Sequence, residues 1–147
     1  MTNPYLPPPI ESATDPVHST ADLGQRWRAL MGPLGFGQRL IWFGFLGPDR
    51  RLIKALHQLS IPRLPREDVC EKLFGGLAVV VEELDAPVSV AILLTGPGTG
   101  GVSERDRRWA GMLTDCAQRC EVPLEPIFRA NDESLELIEP SLSASAT

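Results

Sequence analysis

Thr95-Gly-Pro-Gly-Thr-Gly-Gly-Val102 is the segment whose residue types are best suited to chemistry. Glycines let a backbone turn tightly and bring amide groups against an anion. Gly96 to Gly101 satisfies G-x-G-x-x-G literally, yet in the dinucleotide fingerprint the last glycine lies inside the helix. Here Ser103 and Asp106 have the spacing of a helix cap, so every glycine precedes the helix. No Gly-Lys-Ser or Gly-Lys-Thr follows, and the lysine that a phosphate loop puts on terminal phosphates is therefore absent. Arg105 falls one helical turn before Trp109 on nearly the same side. Its guanidinium can lie under the loop, pair with Asp106 or stack on Trp109. Arg107 and Arg108 point further outward. Two readings stand: a plain strand-to-helix turn beside a solvated basic patch, or an anion site. The candidate ligand-binding residues are Thr95, Gly96, Gly98, Thr99, Gly100, Gly101, Ser103, Arg105 and Asp106, with no catalytic or metal-ligating set.

Cys116 and Cys120 share a helix face at a spacing two metal ligands can use, and Cys70 and His57 would complete a zinc site in principle. Both helix cysteines, however, sit in the apolar stripe of Trp109, Met112 and Leu113, where a free thiol behaves as a small hydrophobe. The paired short-spacing ligand sets typical of zinc are missing. His18 lies near the N-terminus, so any Ser–His–Asp or Cys–His arrangement has to use His57, and no nucleophile motif accompanies it. No cofactor is implied.

These residues have to be positioned by helices and strands. The spacing predicts a first helix over about Ala21 to Met31, capped by Ser19 with Asp22 and stopped at Gly32-Pro33, with Leu23, Trp27, Leu30 and Met31 on one face. After the glycine-rich connection 32–38, Arg39 to Leu46 reads as an interior strand buried on both faces. Gly47-Pro-Asp-Arg50 has turn chemistry, and Arg51 to Leu56 reads as the hairpin partner. Residues 57–65 read as loop. A second helix begins near Pro65 or Arg66, carries a broad apolar face from Val69 to Leu84, and ends at Asp85-Ala-Pro87. Val88 to Leu94 is the second buried strand, Ser103 starts the third helix, and strands at Leu124–Ala130 and Leu135–Glu139 follow. The expected fold class is α/β (α+β): a mixed β-sheet of about five strands flanked by three helices in a single domain.

Length and composition set the outer limits. A chain of 147 residues suits one domain. We expect a disordered proline-rich arm over 1–18, the α/β domain over 19–139, and a disordered tail over 140–147. The net charge of -5 disfavours a nucleic-acid partner held by phosphate contacts, which need clustered cations. The 12 Arg against 2 Lys fit GC-rich coding. Three cysteines without framework spacing, and no signal peptide or apolar run long enough to span a bilayer, point to a cytoplasmic protein with no membrane partner.

From residue 39 to about 139 the layout resembles the RadC-type branch of the JAB/MPN metalloprotease-like fold. The likeness rests on Arg39–Ile53, the Pro65-Arg-Glu helix start, the strand Val88–Leu94, the Pro/Gly loop, the Ser103-x-x-Asp106 step and the helix running to Val122-Pro123-Leu124. That family binds zinc through a His-x-His-Pro loop followed by Ser and Asp, with an upstream glutamate as general base. Here Leu94, Thr95 and Gly96 precede Pro97, Asp106 matches only after a one-residue gap, and Lys54 to Leu56 offer no glutamate. The resemblance thus implies a metal-free member, more a non-catalytic interaction or scaffold protein with a protein partner than an enzyme, and leaves a homodimer open. The alternative is a small-anion or nucleotide-binding protein using loop 95–102; a metal-dependent hydrolase ranks last. The chain also has the look of a family of high-GC Gram-positive bacteria, which adds no function.

Overall fold

The computed structural model describes residues 8–53, 56–84 and 86–139. Its centre is a strand, Ser89–Thr95, whose last six residues are all buried. A continuous apolar run of branched residues suits a strand covered on both faces. The elements, in chain order, are α1 (Thr20–Met31), β1 (Leu40–Leu46), β2 (His57–Ser60), α2 (Glu67–Glu83), β3 (Ser89–Thr95), α3 (Glu104–Arg119), β4 (Phe128–Ala130) and β5 (Leu135–Leu137). They form a five-stranded mixed sheet in the order β2-β1-β3-β4-β5, antiparallel except for the β3–β4 pair. This is the α+β arrangement of about five strands and three helices that the sequence predicts. No helix among the described residues is long and apolar enough to cross a membrane.

Alternation along the strands sorts side chains into two cores. Ile41, Phe45, Val90, Ile92 and Leu94 face α2 and α3, where they meet Phe74, Leu77, Trp109 and Leu113. Leu46, Ala91, Leu93, Phe128 and Ala130 face the other way, against Leu23 and Trp27 of α1. The helix starts follow their capping residues. The Ser19 side chain accepts from the Asp22 amide at 3.1 Å. Ser103 and Asp106 form a reciprocal capping box, satisfying two amides that a helix start leaves orphaned. Gly32 ends α1 with φ 63, a conformation that favours glycine.

Three expectations fail. The hairpin partner is not Arg51–Leu56: Leu52 makes only an isolated bridge to Leu46, and Lys54 and Ala55 lie outside the described residues. The strand beside β1 is instead His57–Ser60, read as loop from sequence, with Leu40↔Ser60 and Phe43↔His57 in register. A four-residue edge strand with no buried residue has no apolar face to produce alternation, so pattern cannot reveal it. The N-terminal region also differs from a free arm. Ile10–Thr14 form a 3-10 helix, Ala13 and Val17 are buried, and Arg26 of α1 donates to the carbonyls of Asp15 and Pro16. Prolines forbid ladder bonding but not packing of the small apolar residues between them. Residues 1–7 and 140–147, expected to be disordered, lie outside the described residues. Smaller shifts are that β4 begins at Phe128 rather than Leu124, which makes a single bridge to Val90, and that β5 stops at Leu137.

Gly24 sits where α1 crosses β4: a Cβ there would lie 2.9 Å from the buried Phe128 ring. In an open helix site Gly→Ala gains up to ~1 kcal/mol, whereas overpacking a core costs about 1–3 kcal/mol. Gly24→Ala is therefore expected to destabilise, while Gly111→Ala in α3, where nothing lies within 4 Å, stabilises by ~0.5–1 kcal/mol. Urea unfolding of the two variants checks the opposite signs.

Candidate functional site

β3 and β4 run parallel and end side by side, with Thr95 opposite Ala130 and the Gly96 amide donating to the Ala130 carbonyl at 3.2 Å. Parallel neighbours cannot be joined by a tight turn, so the chain crosses over through α3. The loop entering α3 consequently hangs over the strand ends, the usual ligand position in α/β sheets. A cavity of about 110 Å³ lies there, walled by Arg39, Arg63, Arg105 and Arg129 together with Asp106, Leu94 and Trp109.

Each arginine arrives from a different element. Arg39 immediately precedes β1, and the Leu40↔Thr95 pairing sets it beside Gly96. Its Nη1 and Cγ would lie 3.1 and 3.2 Å from a Cβ at residue 96, so the guanidinium arm rests on the bare glycine face. Arg63 follows β2, and its carbonyl accepts the Trp109 indole N–H at 3.3 Å, tying that loop to α3. Arg105 is the second residue of α3 and half-buried. Arg129 stands opposite Leu94 on the helix-covered face and is only 4% exposed. It pairs with Glu136, lies 3.6 Å from Asp106, and its buried Nε lacks a hydrogen-bond partner.

The electrostatics are one-sided. Among the described residues no carboxylate forms an ion pair with Arg39, Arg63 or Arg105. Partial burial, then the charges of Arg105 and Arg63, hold the Arg39 guanidinium below its usual value, with Asp106 opposing. A cationic cluster of this kind is relieved by an anion.

The glycine loop itself is differently arranged from an anion cradle. The Gly98 amide donates to Asp132 Oδ2 at 3.0 Å and the Gly100 amide to Glu133 Oε2 at 3.2 Å. Asn131 Nδ2 donates to the Gly100 carbonyl at 3.0 Å. The β4–β5 turn thus clamps the loop, and its carboxylates already occupy two amides the anion reading assigns to a ligand. Gly98 and Gly100 have φ 130 and 89, so glycine is needed there for the turn itself. The Thr95 hydroxyl accepts from the Trp42 indole at 3.0 Å, on the α1 side of the sheet by strand parity. Ser103 has its hydroxyl and amide engaged in the capping box. Of the residues singled out from sequence, Arg105 and Asp106 bring charge to the cavity. Thr95, whose hydroxyl is turned away to Trp42, lines it together with Gly96, Gly98, Thr99, Gly101 and Ser103, and Gly100 holds the clamp.

Sequence reasoning misses Arg39, Arg63, Arg129 and Asn131. Only Arg129 leaves a signal, as a cation inside an otherwise apolar strand; the others meet through tertiary folding alone. The cysteines and His57 do not assemble. His57 stacks on Phe43 in the β1–β2 pair, with ring centroids 5.2 Å apart. Cys70 and Cys116 are buried between α2 and α3, and burial, with Cys116 adding, pushes the Cys70 thiol up to about 12. Among the described residues no three His, Cys, Asp or Glu converge as metal ligands would.

A comparison with family models finds no match, and comparisons with curated proteins and solved structures find none either.

Asp132 anchors the clamp: its carboxylate accepts from the Gly98 and Phe36 amides, and these bonds hold its carboxyl below the usual aspartate range. A depressed folded value stabilises above the unfolded value and is lost as pH falls through the folded one. The clamp should therefore survive through mildly acidic conditions and release only below the ordinary aspartate range. In Asp132→Ala at neutral pH, hydrogen exchange at the Gly98 and Phe36 amides is expected to accelerate about ten-fold or more, while amides of β3 stay protected.

Proposed function

We propose that this chain is a binding protein for a small anionic ligand, seated in the arginine cavity above the ends of β3 and β4. The observation that carries the reading is the convergence of Arg39, Arg63 and Arg105 on one cavity with no carboxylate partner among the described residues. Like charges so crowded cost stability unless they serve a ligand, and guanidinium forks match carboxylate and phosphate oxygens. The chain as a whole is acidic, so the patch is local and selective for a small partner rather than a polyanion. At about 110 Å³ the cavity is well below the roughly 300–1,000 Å³ that encloses a drug-sized molecule. It accommodates an anionic group, not a whole nucleotide.

A second reading has its own support. Leu59 of the edge strand and Val80 of α2 flank an apolar cleft of about 480 Å³ and are 37% and 40% exposed. An unprotected edge strand beside exposed apolar side chains favours a protein partner. This is the interaction role that the JAB/MPN resemblance implies, and a second copy of the chain is the simplest partner to test. Self-association at micromolar concentration in analytical ultracentrifugation, lost in Val80→Glu, is the outcome expected if the cleft serves that role; a strictly monomeric wild type removes the homodimer.

For the anion reading, saturating ligand at about a hundred times its Kd stabilises the folded state by ~2.7 kcal/mol, or several degrees in melting temperature. At constant ionic strength, at least one small anion is expected to produce this shift in the wild type and not in the double variant Arg39→Ala/Arg105→Ala. No shift with any anion at millimolar concentration sinks the reading.

A further inference from the structure

The ligand class can be narrowed, resting on the anion-binding reading above. We infer that the cavity receives a tetrahedral phosphoryl dianion, either free or as the terminal group of a larger molecule.

Charge is the first argument. Four guanidinium groups line the cavity, and two carboxylates, Asp106 and Glu136, lie against the innermost of them, Arg129. Two positive charges are left, which a dianion neutralises and a monocarboxylate does not. A phosphate ester carries about -1.5 to -2 at neutral pH.

Shape is the second. Arg39, Arg63 and Arg105 come from the start of β1, the segment after β2 and the start of α3, three separate parts of the fold. Three donors set around a compact volume suit three acceptor oxygens directed apart, the geometry of a phosphoryl group. A carboxylate presents two oxygens in one plane and is satisfied by a single fork.

The donor inventory is the third. Two glycine amides serve Asp132 and Glu133, and the α3 amides of the capping box serve Ser103 and Asp106. With these four amides engaged, the guanidinium groups are the charged donors left to a ligand, and binding here is removable by side-chain substitution. Arg129 is different in kind: buried, paired with Glu136, and with its Nε 3.6 Å from Asp106 but without a hydrogen bond, it fixes the floor of the cavity.

Gly96 is then a positioning residue. A methyl at residue 96 would meet the Arg39 side chain at 3.1–3.2 Å, and the mobile guanidinium rather than the backbone gives way. Gly96→Ala thus moves Arg39 without removing it.

Isothermal titration of the full chain at constant ionic strength and pH 7.5–8 (~1.5–2 units above a phosphate ester's second pKa) tests the inference with inorganic phosphate, glycerol 3-phosphate and malonate. Phosphate or its ester is expected to bind about ten-fold or more tightly than malonate, a dianion of equal charge made of two planar carboxylates on a methylene. Arg39→Ala and Arg105→Ala should each weaken phosphate about ten-fold or more. Gly96→Ala should weaken it several-fold with the ligand-free melting temperature little changed. Arg66→Ala, which removes an arginine paired with Asp68 outside the cavity, should leave affinity unaltered. Tighter binding of glycerol 3-phosphate than of phosphate identifies the terminal group of a larger molecule, and the reverse order a free oxyanion; both support a phosphoryl site. Malonate binding as tightly as phosphate overturns the phosphoryl inference and leaves the anion-binding reading intact. An equal loss in Arg66→Ala overturns the site, and no binding by any of the three overturns both.

Discussion

The parallel pairing of β3 with β4 is the constraint from which the rest of the molecule follows. Every other strand pair in the sheet is antiparallel, but this one forces the chain to leave the sheet, run back along its face as α3 and re-enter. That excursion covers the face of Ile92 and Leu94, supplies Trp109 and Leu113 to the core, and leaves a loop over two adjacent strand ends. The same register puts Arg129 opposite Leu94, under α3, in a place where the strand pattern alone calls for an apolar side chain. Its burial is tolerable because Glu136 and Asp106 accompany it, at the expense of desolvating all three.

Charge is divided within the molecule rather than balanced locally. Carboxylates of the β4–β5 turn are turned toward loop amides, so they rigidify the glycine loop instead of neutralising the arginines beside it. The loop is thereby a wall, and the side chains that enter from β1, the β2–α2 segment and α3 give the cavity its character. Glycine abundance, which invites comparison with phosphate loops, reflects two positive-φ positions and one close approach by Arg39.

Much of the frame was legible in the residues. β3 reads from its continuous apolar run, and α1 and α3 from their Ser–x–x–Asp caps and apolar stripes, because capping and amphipathic burial are local. β2 was not legible: His57–Ser60 pair with β1 while every one of the four residues stays exposed, so no apolar alternation marks the strand. The packing of Ala13 and Val17 was hidden by the prolines around them. In the cavity, Arg105 and Asp106 stood out because they adjoin the glycine loop, whereas Arg39 and Arg63 join them only through strand register. The direction of the loop amides was unreadable for a similar reason, since residues more than thirty positions later decide it.

The thiols packed between α2 and α3 give this fold an internal clock. Cys70 and Cys116 are shut away from solvent, whereas Cys120 is partly open. Since the thiolate is the species that reacts, a thiol-specific reagent has to wait for the two helices to part before it reaches the inner pair. The lag between the first modification and the later two therefore times the separation of the layer that roofs the sheet, with no residue of the chain substituted.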